Sequence, residues 1–74
     1  MTPAQCRAAR GLLDWTQQDL AKVSEVSLTT VRNFERGARQ PIRANLAALR
    51  TAFEAAGIVF VEANGGGIGV RLKD

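Results

Sequence analysis

Between Ser27 and Arg36 the chain sets out hydroxyl, amide, guanidinium and methyl groups at helical spacing. On a wheel of ~100° per residue, Leu28, Thr29, Arg32, Asn33 and Arg36 fall on one side, and Thr30, Val31 and Phe34 on the other. The first side is mid-sized and basic, with no acid at its centre. Such a face suits base-pair edges in the major groove. Arginine can pair with guanine, asparagine with adenine, and an apolar side chain can meet the thymine methyl. Ser27, just ahead, could touch a base methyl or a phosphate. The plainer alternative is a solvated helix face, which the wheel alone leaves open. Other chemistry has little material. The chain has 74 residues, no histidine and one cysteine, Cys6. That excludes His-based catalysis, His-based metal sites and an internal disulfide. No nucleophile–base pair or metal-ligand cluster stands out, so no enzyme, metal or cofactor is expected.

Two short helices joined by a tight turn must carry this face. Thr16 reads as the cap of the first, with Asp19 three residues on, and Leu20, Ala21 and Val23 as its inward stripe. Ser24 and Glu25 break the pattern. Ser27 caps the second helix, and Gly37 stops it.

This stretch resembles the helix-turn-helix of the phage repressor and Cro-like family, the XRE-type regulators. The matching residues are Thr16, Gln17, Leu20, Ala21, Val26, Ser27, Thr30, Val31, Glu35 and Gly37. A looser likeness runs from about Ala4 to Phe53. The resemblance implies a mainly α fold: a four-helix repressor-like domain whose third helix reads DNA bases through Ser27, Leu28, Thr29, Arg32 and Asn33. It also implies an ion pair between Arg10 and Glu35 beneath the DNA-facing surface, and a backbone contact from Gln17. One departure is Glu25, where the family usually has glycine. A left-handed backbone there would cost on the order of 1 kcal/mol.

Phosphate contacts have their own candidates. A helix N-terminus carries free N–H groups and partial positive charge, which favours Gln17 and Gln18 at the start of the second helix. Arg36 precedes a loop set by Gly37 and Pro41, and by resemblance that loop lies along the sugar-phosphate backbone. Arg39 and Arg43 are its candidates, with solvated loop charges as the alternative. A net charge of +3 favours an anionic partner weakly.

The remaining elements frame the motif. Thr2, Pro3 and Gln5 spell a capped start for a first helix to about Leu13, with Cys6, Ala9, Leu12 and Leu13 inward and Arg7 outward. Trp15 reads as core. A fourth helix spans about Ala44 to Ala56, with Leu46, Leu49, Phe53 and Ala56 as one stripe and surplus alanines for a second packed surface. Residues 58–62 and 68–73 then alternate as β-strands around Asn64 and the glycines after it, which makes a C-terminal hairpin. The glycine run lacks the following helix and Lys-Ser/Thr of a phosphate loop. Residues 1–57 are read as the DNA-binding part and 58–74 as a dimerisation element of the same domain.

A lone hairpin is marginal in water and both its strands are edges. A homodimer built through Phe60, Ile68, Val70 and Leu72 is therefore expected, presenting two recognition helices to half-sites ~34 Å apart on double-stranded DNA. The leading reading is a dimeric repressor or autoregulator. The competing one is an antitoxin or anti-activator whose main partner is another protein. A reduced Cys6, no signal peptide and no apolar run of membrane-spanning length point to the cytoplasm.

Overall fold

The computed structural model describes residues 1–63 and 66–73. Four helices, α1 (Pro3–Leu13), α2 (Gln17–Ser24), α3 (Leu28–Glu35) and α4 (Arg43–Ala55), precede two strands, β1 (Ile58–Val61) and β2 (Gly69–Leu72). The architecture is mainly α with a C-terminal hairpin, as expected.

Side-chain caps fix the starts of the first three helices. Thr2 Oγ1 accepts from the Gln5 N–H at 3.1 Å, and Gln5 Oε1 accepts from the Thr2 N–H at 2.9 Å. Thr16 and Asp19 repeat this reciprocal pairing at α2, at 3.0 and 2.9 Å. Each satisfies two backbone donors that a helix start would otherwise leave free. Gly37, at φ 73°, ends α3. Its N–H donates to the Phe34 carbonyl and that of Ala38 to the Asn33 carbonyl, the double return of a Schellman turn.

The α2–α3 turn has the backbone that the sequence put in question. Glu25 takes φ 60° and ψ 24°, the left-handed conformation, without glycine's freedom. Ser24 braces it: its hydroxyl donates to the Leu20 carbonyl at 2.7 Å and accepts from the Val26 N–H at 3.2 Å.

The core gathers Cys6 and Ala9 from α1, Leu20 from α2, Val26 from the turn, Val31 and Phe34 from α3, and Leu49, Ala52 and Phe53 from α4. Phe34 and Phe53 are fully buried, each contributing roughly 1.5–3 kcal/mol. Trp15 stacks on Phe53 with ring centroids 5.9 Å apart. Two expected core residues lie outside it. Leu12 and Val23 are exposed; for Val23, α3 and α4 take the Leu20 side of α2, and among the described residues nothing covers its own side. Ala47 and Ala55 are also exposed, so the second packed surface expected on α4 is open.

The strands pair antiparallel, Ile58 opposite Leu72 and Phe60 opposite Val70. Of the turn expected over residues 64–67, residues 64 and 65 lie outside the described residues. β1 rests on α4 and β2 on α1. One correction concerns Phe60, expected at a dimer surface. It is buried in the monomer core, edge-on to Phe53 at 6.1 Å and beneath the Arg50 guanidinium at 4.8 Å. The hairpin face bearing Ile58 and Phe60 finds apolar cover on the helices of its own chain. Gln5 completes the docking, its amide donating to the Gly69 carbonyl at 3.1 Å and the Val61 carbonyl at 3.3 Å.

Candidate nucleic-acid interface

The α3 face is held from below. Glu35, at the end of α3, is 2% exposed and accepts five hydrogen bonds in all. Arg10 of α1 grips its carboxylate with two parallel bonds of 2.7 Å. Gln17 Nε2 donates to it at 3.0 Å and Cys6 Sγ at 3.1 Å. The Arg7 guanidinium donates to the Glu35 main-chain carbonyl. Arg10 also reaches the Trp15 carbonyl at 3.0 Å, tying in the α1–α2 link.

Ionisation follows from this arrangement. Burial alone pushes the Glu35 carboxyl up, but the bonds from Arg10, Cys6 and Gln17, with the Arg10 charge, more than offset it. The net effect holds Glu35 below the usual carboxylate range. Its hydrogen bond raises the Arg10 guanidinium above its ordinary value. Burial first, then the bond to Glu35, pushes the Cys6 thiol far up, so it stays a protonated donor.

Above this support the outward residues emerge. Thr29, Arg32 and Arg36 are exposed, and Leu28 and Asn33 are half-buried. A concavity of about 650 Å³ lies on one flank, lined by Arg7, Arg10, Gln17, Thr29, Arg32, Asn33, Glu35 and Arg36. One of about 270 Å³ lies on the other, lined by Thr29, Thr30, Asn33, Arg39, Gln40, Pro41, Ile42 and Asn45. Thr29 and Asn33 border both, so the exposed side of α3 stands as a ridge between two hollows. That relief matches a helix set into a groove with a phosphate strand on either side.

The expected site residues divide on closer view. Arg32 is exposed on the ridge, and its guanidinium has no hydrogen-bond partner among the described residues. Asn33 Oδ1 accepts from Arg36 at 2.8 Å, so these two act together. The Ser27 hydroxyl accepts from the Thr30 N–H at 3.1 Å and donates to Thr30 Oγ1 at 2.9 Å. In this arrangement a lone pair of the Ser27 hydroxyl stays open to accept from a base amino group. The Gln17 side chain is engaged at Glu35, which leaves its main-chain N–H, with that of Gln18, at the open start of α2. Gln18 and Arg39 are exposed. Arg43 is exposed too, but lines a separate depression with Met1, Leu46, Ala47 and Arg50 rather than the α3 hollows. Ile68 and Leu72 are 46% and 42% exposed, and Val70 is half-buried against the core.

Among the hollow-lining residues that went unflagged in the sequence are Arg7, Gln40, Ile42 and Asn45. Arg7 precedes Arg10 by three, one helical turn along the same face, and that spacing could have marked it. Ile42 and Asn45 follow Pro41, and their position depends on how the loop returns, which no local pattern states. No group of histidine, cysteine and acidic residues among the described residues could hold a metal ion. No described helix is long and apolar enough to cross a membrane.

No curated protein matches the chain. A family model described as helix-turn-helix does, over residues 7–54, which runs from within α1 through nearly all of α4. With two capped helices, the tight turn and the uncovered third-helix ridge in their places, the chain belongs to the XRE-type helix-turn-helix family of DNA-binding regulators.

Proposed function

We propose that this protein is a sequence-specific transcription regulator, a dimeric repressor or autoregulator that lays α3 in the major groove. The observation that carries the reading is the ridge of Thr29, Arg32 and Asn33, uncovered by its own chain and locked from beneath by Arg10 and Glu35. Arg32 pairs with guanine and the Asn33–Arg36 unit with adenine or a neighbouring base, while Leu28 and Thr29 offer methyl groups to thymine. Each good bidentate pair discriminates by ~1–3 kcal/mol. Ser27 accepts from a base amino group. The open N–H groups at Gln17 and Gln18 hold a phosphate on one flank, and Arg36 and Arg39 add others. Arg43 acts on the backbone from farther out.

Dimerisation uses the exposed hairpin residues Ile68 and Leu72, with Val70 at their margin and Phe60 omitted. Val61, 39% exposed, lies on the opposite face of the hairpin from Val70 and Leu72 and is also omitted. This surface also suits a different protein, as an antitoxin or anti-activator would need. Sedimentation of the parent and of Ile68→Ser/Leu72→Ser separates the two: a parent monomer at micromolar concentration counts against the homodimer. The DNA reading is tested by selecting bound sites from random duplexes and repeating the binding across a salt series. Enriched paired half-sites with affinity falling steeply in salt are expected. Flat salt dependence or no enrichment contradicts the proposal.

A further inference from the structure

We propose that Arg7 is a phosphate-binding residue of the DNA interface, seating a backbone phosphate in the hollow between α1 and α3. This rests on the DNA reading above and extends the contact surface to the first helix. The hollow is lined by four guanidinium groups, of Arg7, Arg10, Arg32 and Arg36, against the single carboxylate of Glu35. Glu35 is consumed by Arg10, Gln17 and Cys6. Arg36 leans on Asn33, and Arg32 stands on the base-reading ridge. Arg7 is exposed and has no carboxylate partner among the described residues.

Its one recorded bond goes to the Glu35 main-chain carbonyl at the end of α3. That bond uses one of the five guanidinium N–H groups and leaves four. It also fixes the head group beside the ridge, so less freedom is lost when a phosphate arrives. The plainer role is a helix-end cap alone, which would account for the carbonyl contact. It would not account for an unneutralised charge turned into a basic hollow.

The test is the salt dependence of binding to the selected duplex by the full chain, its Arg7→Gln and Arg7→Lys variants, and Lys22→Gln on exposed α2 as control. Thermal melting runs alongside. Arg7→Gln is expected to lower the log–log salt slope by roughly 1, weakening binding about equally across sequences. Arg7→Lys keeps the parent slope. Arg7→Met, which removes the charge and keeps the aliphatic stem, replaces Arg7→Gln if that variant does not fold. An unchanged slope in the folded charge-free variant overturns the phosphate role and leaves only the cap. So does a drop of equal size in Lys22→Gln, or a changed base preference. Failure of the parent to bind any duplex would overturn the DNA reading itself. Steep parent binding with an unaltered Arg7→Gln slope would overturn this inference alone.

Discussion

Two elements dock on α1 by opposite means. α3 is joined to it through a charged seam, in which Cys6, Arg7 and Arg10 converge on Glu35. The hairpin is joined to it through β2 and one neutral amide, Gln5, while Ile58 and Phe60 of β1 bury in the shared core beside α4. A charged seam is directional: two parallel bonds of 2.7 Å admit one orientation of α3 against α1. A neutral, apolar seam is more tolerant of small shifts. The element proposed to enter the groove thus has the rigid mount. The two outward surfaces differ in the same sense, polar and basic on α3, apolar at Ile68 and Leu72 on the hairpin.

Breaking the charged seam should cost most. Glu35→Ala strands Arg10, whose side chain is 20% exposed, and is expected to destabilise by ~3–5 kcal/mol in urea unfolding. Replacing both partners, as Arg10→Met/Glu35→Leu, should recover much of that loss. A cost below ~1 kcal/mol for Glu35→Ala would mean the pair behaves as a surface bridge. Breaking the neutral seam should cost less. Gln5→Ala removes the bond to the Thr2 N–H and both hairpin contacts, for ~1–3 kcal/mol, and should raise amide exchange in the hairpin before the helices. Uniform exchange across the chain would contradict a separable hairpin seam.

The seams also differ in pH response. Glu35 is held below its unfolded value, so its stabilisation is present above about pH 4.3 and is lost as pH falls through the folded value. Cys6 is pushed above its unfolded value. Its contribution is intact below about pH 8.5 and declines above it, where the unfolded thiol ionises and the folded one does not. Each limb can slope by up to ~1.4 kcal/mol per pH unit. Glu35→Gln should flatten the acid limb and Cys6→Ala the alkaline one, while Gln5→Ala shifts the whole curve without changing its shape. An unaltered alkaline limb in Cys6→Ala would contradict the thiol assignment. The smallest effect lies at the turn. Glu25→Gly should stabilise by no more than ~1 kcal/mol, the relief of the left-handed backbone being partly offset by glycine's larger unfolded entropy.

Local signals carried much of this into the sequence. Thr2 with Gln5, Thr16 with Asp19, and Gly37 after Phe34 specify helix ends through bonds spanning three to five residues, so spacing alone exposes them. The third-helix wheel likewise separated Thr29 and Arg32 from Val31 and Phe34. The pairing of Arg10 with Glu35 came from family likeness, since residues so distant in sequence meet only through the fold. What stayed hidden depended on packing partners. Phe60 alternates as a strand residue should, yet nothing local says its face meets Phe53 rather than another chain. Val23 sits at the edge of a stripe, where coverage depends on neighbouring helices. Gln5 was legible as a cap but not as the clasp of a hairpin 56 residues away.

The central claim is that the α3 ridge reads bases. Site selection from random DNA with the parent, Arg32→Ala and Asn33→Ala tests it most directly. The account predicts half-sites about one helical turn apart, and a lost preference at one distinct base position per half-site in each variant, with melting unchanged within ~0.5 kcal/mol. Identical preferences in all three proteins would contradict it.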